Sequence, residues 1–441
     1  MLDRPFLTQI DPRAKIKGSR DPLGLQPIWS RLGRRLVRNL TTVTTSLRGF
    51  TTLLLGLYIA ECVTEDAPAA EDEFLAAFLK FEQLAAYSRV ALSQQSDGAY
   101  SVYSEDDENA IRGIRRVVRN LNETRGKVGI SANFAEQILA NQKTYGLWGL
   151  YSVAARNSGC LEAGSARLTA PTRDFIEMNY RSRLQSTDHN ADVFKLFKND
   201  FAFEPKGKHT KLARNLAELL SPRVTAIERE FYYMHLIMCA SEHADDIQER
   251  LWKQFRKLNP GSLSYTELVR VIDQSHADGD EVLYEHLDHI RATEAVIAPA
   301  SRLFGFLLAQ DGQSIDSIAQ DIRASWGDAL RHIQVDQLIT ALSVLGDGID
   351  AVTRERMHRL AKSLNSGKYG ETIELLLEQN RAVMQERGGN AWVILKDGRI
   401  DVRMSAEAGN LPPARDIPTL WMHNYFLNSL KQIGFEIDGG A

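Results

Sequence analysis

Apolar residues recur every three to four positions along most of the chain, the repeat of an amphipathic helix, and runs alternating at every second residue are few. The longest helical run is SPRVTAIEREFYYMHLIMCASEHADDIQERLWKQFRKLNPG, where Ser221 can cap, Pro222 suits a first turn and Asn259-Pro260-Gly261 stops the helix. It predicts one helix of about 35 residues, straight or kinked, burying Val224, Ile227, Phe231, Met234 and Met238. Ser264 to Glu267 (SYTE) is a capping box that opens the next helix. Helical patterns follow at 280–297, 313–326, 334–345, 352–364 and 369–387. The short connections GDG (Gly346 to Gly348) and NSGKYG (Asn365 to Gly370) imply antiparallel neighbours, and no fixed period marks a solenoid.

Strand signals are confined to two places. AWVILKDGRIDVRM pairs two short apolar runs across Asp397-Gly398, a two-residue hairpin signal. A polar linker, SAEAGNLPPARD, leads from it to a terminal helix carrying Leu420, Tyr425, Phe426, Leu427 and Leu430. Earlier, residues 142–180 run as apolar helix, glycine stop at Gly159, short strands about a turn at Gly164-Ser165, and a helix from Thr172. With ISANFAEQILAN as a preceding helix, this is the order of a winged-helix unit at 131–180. The fold class expected is therefore mainly α, multi-helical, with a winged-helix unit and a small C-terminal β-hairpin. The segments read as 1–60 (basic arm and apolar helix), 61–211 (helical, with the winged-helix unit), 212–387 (helical) and 388–441 (hairpin plus terminal helix).

Composition narrows the class. With 44% hydrophobic and 25% charged residues in 441, the chain has the proportions of a soluble protein able to bury a large core, in more than one domain. The run GFTTLLLGLYIAECV (Gly49 to Val63) is shorter than the ~20 residues of a membrane helix and reads as buried. Cys62, Cys160 and Cys239 form no CxxC pair, which speaks against a zinc ribbon or disulfide framework. The start, MLDRPFLTQIDPRAK, lacks the apolar core of a signal peptide, so a reducing cytoplasm is the expected compartment.

Catalytic motifs are sparse. The sequence has no GxxxxGK[ST], since Tyr369 follows the Gly-Lys of NSGKYGET, and no GxSxG, HExxH or GxGxxG after a strand. EPKGK (Glu204 to Lys208) offers a Glu-x-Lys in what reads as a solvated basic loop rather than on a nuclease strand. His235, Cys239 and His243 share a helical stripe, but a zinc site needs a fourth ligand, and Cys239 sits in apolar LIMCA. His286 and His289, beside Glu285 and Asp288, fit an exposed acidic helix better than a calcium loop. No metal, cofactor or catalytic residue is assigned.

Charge is more informative. The net charge is −4, yet residues 1–50 hold ten Lys or Arg against three Asp, a local +7. Arg31, Arg34, Arg35 and Arg38 repeat at spacings of three, one and three, opposite Trp29, Leu32, Leu36, Val37 and Leu40. Arg112, Arg115, Arg116 and Arg119 repeat the same spacing in ENAIRGIRRVVRNLNETRGK, opposite Ile111, Ile114, Val118 and Leu121. The acids before this second helix and the arginines toward its end complement the helix dipole, which explains part of the pattern. Four arginines without a lysine, followed by Arg125 and Lys127, exceed that need and suit phosphates or carboxylates.

The segment DPLGLQPIWSRLGRRLVRNLTTVTTSLRGFTTLLLGLYIAE, at Asp21, Leu23, Gly24, Thr44, Thr45, Arg48 and Phe50, resembles uncharacterised bacterial proteins encoded in phage-defence and mobile-element islands. The resemblance implies a subunit of a multi-protein defence system and carries no catalytic residues. The expectation is a non-catalytic subunit that contacts DNA or RNA backbones through Arg31, Arg34, Arg35, Arg38, Arg112, Arg115, Arg116 and Arg119, with other subunits as partners and no membrane. The alternatives are an adaptor docking on an acidic protein, and a metal-dependent nuclease with unrecognised ligands.

Overall fold

The structure is a computed structural model that describes residues 21–65, 71–92, 99–101, 112–185, 193–239, 246–404 and 409–439. The fold is mainly helical, with two two-stranded antiparallel sheets among the described residues. The chain divides into two compact units, Val37–Leu263 with Phe426–Ala441, and Met1–Leu36 with Ser264–Tyr425. The four segments drawn from the sequence are distributed across these units, residues 212–387 falling in both.

The first unit is built around Leu47–Thr64, a helix apolar on every side and buried along nearly its whole length. By length and composition it could cross a membrane, with a mean hydropathy of 1.3, but 89% of it is buried inside the protein. A helix hydrophobic all round must be covered all round. Glu71–Ala91, Leu147–Asn157 and Ala170–Gln185 supply that cover. The packing is tight at two glycines: a Cβ at Gly49 would lie 2.5 Å from the Tyr151 ring, and one at Gly56 2.9 Å from the rings of Phe78 and Phe81.

The charged groups Arg48, Glu228 and Glu61, drawn into this core, are paired. Arg48 meets Glu228 at 2.6 Å, and the same carboxylate oxygen accepts the Tyr180 hydroxyl at 2.5 Å. Burial pushes Glu228's pKa up, but the hydrogen bond and charge of Arg48 outweigh it, so the carboxyl sits below its ordinary range. Glu61 is held by Arg173 at 2.5 Å and by the Leu168 N–H at 2.8 Å.

That ion pair explains the largest departure from the sequence pattern. Residues 221–259 do not form one helix: Thr225, not Ser221, caps Ala226–Tyr232 in a capping box with Glu228, and a π-helical turn follows at Tyr233–Ile237. Cys239 then turns the chain at φ 49°, and a separate helix spans Ile247–Phe255. Because Arg48 and Tyr180 draw Glu228 inward, the buried side is Glu228, Tyr232, Leu236 and Ile237. Of the stripe expected in the core, Ile227, Met234 and Met238 are exposed, while Val224 and Phe231 are half-buried.

The winged-helix expectation is also corrected. Leu147–Asn157 and Ala170–Gln185 flank a turn closed by a single bridge, Leu161 to Leu168. Residues 131–141 are irregular instead of helical, so the preceding helix is missing. Val128–Ile130 (β1) pairs instead with Phe201–Phe203 (β2), antiparallel, Val128 opposite Phe203.

In the second unit the sequence pattern holds closely. Ser264 and Glu267 form the capping box of Tyr265–Ala277. Helices then span Glu281–Leu307, Ile315–Trp326, Val335–Ser343, Ala351–Asn365 and Tyr369–Glu386. Val393–Lys396 (β3) and Arg399–Val402 (β4) form the hairpin, with Asp397 and Gly398 at φ 51° and 75° as a left-handed two-residue turn requires. The terminal helix, which belongs to the first unit, is shorter than expected, Leu427–Asp438, because Tyr425 and Phe426 both have positive φ and Leu420 ends a 3₁₀ turn.

Candidate nucleic-acid interface

The second arginine set stands on a helix of the first unit, Ile114–Glu123; Ile111 and the acids at 105–108 lie outside the described residues. Gly113 starts this helix at φ 77°, where a Cβ would come within 2.4 Å of the Ile138 carbonyl oxygen, so only glycine fits without displacement. Ile114, Val117 and Leu121 are buried and Val118 half-buried, against Glu71–Ala91. Arg115 and Arg119 are thereby exposed and Arg116 half-exposed. The one ion pair described for these three is Arg119 to Glu123, at 3.9 Å on the surface, where such pairs contribute little. Gly126 closes the helix by donating its N–H to the Leu121 carbonyl at 2.8 Å.

Lys127 continues the surface and leads into β1, whose pairing with β2 carries in the EPKGK loop. Lys127 meets Glu204 at 3.2 Å. The Lys206 ammonium lies 5.7 Å from the centroid of Tyr100, itself fixed to Asn122 by hydrogen bonds of 2.8 and 3.0 Å. Lys206 and Lys208 are exposed. Two basic segments some eighty positions apart in sequence thus adjoin at the helix's C-terminal end. Read alone, EPKGK is an ordinary solvated loop, and its nearness to the arginines depends on a β1–β2 pairing too short to be legible in the sequence.

Arg112 departs from the row. It is half-buried, donates to the Val43 carbonyl at 3.4 Å, and has a buried Nε without a partner among the described residues. It lines a water-sized cavity of about 10 Å³ together with Glu82. Burial pushes the Glu82 carboxyl up to about 7, against the Leu147 N–H, the Gln142 amide and the charge of Arg112, which lower it. Arg112 therefore works inside the fold, offsetting a buried carboxylate.

The first arginine set does not form one helical face. Its helix, Gln26–Arg34, ends before Arg35 and Arg38, and Arg38 belongs to the other unit. Arg31 is exposed, while burial lowers the pKa of Arg34. Arg35 donates to the Val344 carbonyl at 3.3 Å, beside His286 and His289, whose pKa values are lowered by burial first and by Arg35 in addition. The Arg38 backbone N–H is taken by the Gln248 side chain at 2.9 Å, and Asn39 is tied to the carbonyls of His235 and Leu236.

The remaining candidates have structural partners. His235 Nδ1 lies 2.8 Å from the Ser158 carbonyl oxygen and Cys239 Sγ 3.9 Å from that of Asn157; His243 lies outside the described residues. Among the described residues, no group of three or more His, Cys, Asp or Glu is placed to hold a metal ion. The residues behind the family resemblance are also occupied. Asp21 accepts the N–H groups of Leu25 and Gln26 at 2.9 and 3.0 Å, Thr44 accepts that of Thr41, Arg48 binds Glu228 and Phe50 is buried.

No family model, curated protein or solved structure matches the chain.

Proposed function

We propose that this chain binds nucleic acid through the surface formed by Arg115, Arg116, Arg119, Arg125, Lys127 and the Lys206–Lys208 loop, as a non-catalytic subunit of a bacterial assembly, in keeping with its resemblance to uncharacterised bacterial proteins encoded in phage-defence and mobile-element islands. The observation that carries the reading is the convergence of the two basic segments on one end of the Ile114–Glu123 helix. Their sum outweighs the acids beside them, Glu123, Glu136 and Glu204. Arginine forks on a rigid helix suit phosphate oxygens, and contacts of this kind set affinity and position rather than sequence choice. Arg31 belongs to the other unit and is no part of this surface, while Arg34, Arg35, Arg38 and Arg112 are engaged within the fold.

Membership of a larger assembly is supported by the displaced stripe. Ile227, Met234 and Met238, with Met178 at 77% exposure, leave apolar side chains on the surface, as interfaces do. The adaptor alternative sets the same basic residues against an acidic protein instead.

Charge reversal separates the two readings. With Arg115→Glu and Arg119→Glu, binding of a labelled oligonucleotide should be lost while the circular dichroism spectrum is unchanged. Loss of binding to an acidic protein, with no affinity of the unaltered chain for nucleic acid, would favour the adaptor.

A further inference from the structure

Among the described residues, only two aromatic side chains are exposed, Phe134 at 67% and Tyr145 at 44%. Phe134 stands on the irregular segment 131–141, which adjoins the arginine helix where Gly113 meets Ile138, and Tyr145 ends the short helix Gln142–Tyr145 that follows it. The link extends along the helix. Asn120 donates to the Tyr87 hydroxyl at 2.9 Å, and Arg116, Arg119 and Glu136 all act on that hydroxyl electrostatically. Glu136 and Phe134 share one turn, in which the Glu136 N–H bonds the Asn133 carbonyl at 3.0 Å.

A buried amide network pins this turn from below. Gln83 donates to the Ser131 carbonyl at 2.7 Å and to Gln142 at 3.2 Å, and Gln142 donates to the Leu79 carbonyl and to Glu82 at 3.0 and 2.8 Å. A side chain as apolar as Phe134, held outward on a fixed scaffold, is preorganised for a flat apolar partner. Asn133, the residue before it, lines an open cleft of about 400 Å³ with Ser131, Glu136 and Asp200. Asp200 is already engaged there, by Lys80 at 3.1 Å, the Ser131 hydroxyl at 2.7 Å and the Asn133 amide at 3.4 Å, which leaves the exposed Glu136 carboxylate to accept N–H groups such as base edges offer. Phosphate-attracting and base-accepting surfaces thus lie side by side.

We infer that the ligand class is single-stranded nucleic acid, with its backbone along Arg115, Arg116 and Arg119 and an unstacked base on Phe134, Tyr145 taking a neighbouring base. The inference rests on the proposed polyanion surface and adds the aromatic platform that a duplex, with its bases stacked, cannot use. Single-stranded DNA and RNA share this chemistry.

The test compares short labelled single strands of DNA and of RNA with a duplex of the same length, by fluorescence anisotropy on the full chain. Phe134→Ala, at an exposed position, should weaken single-strand binding about ten-fold or more and leave duplex binding unchanged. In the Phe134→Trp variant, the added indole should be quenched by the single strand and not by the duplex. Single-strand binding that survives Phe134→Ala without quenching in Phe134→Trp overturns the platform and leaves the phosphate surface standing. No binding of any oligonucleotide at low salt overturns both. Tighter binding of RNA or of DNA identifies the source of the strand.

Discussion

Glu82→Gln isolates the buried carboxyl that Arg112 faces. Glu82 lies among Leu79, Gln142 and Leu147, and its carboxyl is pushed from an ordinary 4.5 up to about 7. A folded-state pKa above the unfolded one means that the folded protein holds the proton more tightly. The corresponding stability is complete below the ordinary value and is lost as pH rises through about 7. A shift from 4.5 to about 7, at about 1.4 kcal/mol per unit, makes the loss about 3 kcal/mol. Glutamine has no such titration. Its amide nitrogen meets the Gln142 amide nitrogen, a fixed cost independent of pH. Urea unfolding of both proteins across this range should show the stability difference moving by about 3 kcal/mol in the variant's favour as pH rises. A flat difference would mean that folding does not shift the carboxyl, and one that moves toward the wild type at high pH would mean that the charged form is favoured; either result would refute the assignment of Arg112 to a partial, interior neutralisation.

Three further outcomes follow from the packing. Arg48→Met leaves Glu228 buried with no cation and should cost about 3–5 kcal/mol in denaturant unfolding, much of it recovered when Glu228→Gln is added. Leu236→Ala should cost about 2–5 kcal/mol, whereas Met234→Ala should lie within about 1 kcal/mol of the wild type; the reverse order would restore the face read from the apolar spacing. Gly398→Ala, at φ 75° in the hairpin turn, should cost about 1 kcal/mol, seen as faster amide exchange in β3 and β4.

Legibility in the sequence tracked how local each determinant is. The helices from Tyr265 to Glu386 were readable because caps, glycine stops and apolar spacing agree within each segment, as at Ser264 and Glu267. The hairpin was readable because Asp397-Gly398 states its own turn. The 221–259 stretch was misread because a partner far away in sequence, Arg48, decides which way Glu228 faces, and apolar spacing cannot register that. The segment 130–141 has helical spacing, but its conformation is set by Gln83, Gln142 and the β1–β2 pairing. For the site, the arginines at 115, 116 and 119 were visible as a helical face. The inward turn of Arg112 was not, since it is fixed by a tertiary contact with the Val43 carbonyl, and nor was the ending of the first helix at Arg34.

The most direct test of the account is the salt dependence of oligonucleotide binding, compared between the wild type and the Arg115→Ala, Arg116→Ala, Arg119→Ala variant. Each phosphate contact contributes about 0.7 to 0.9 to the slope of log affinity against log salt, so removing three should flatten it by about 2 to 3 with the fold intact. Equal slopes in the two proteins, or binding indifferent to salt in the wild type, would contradict the assignment of this helix to phosphate.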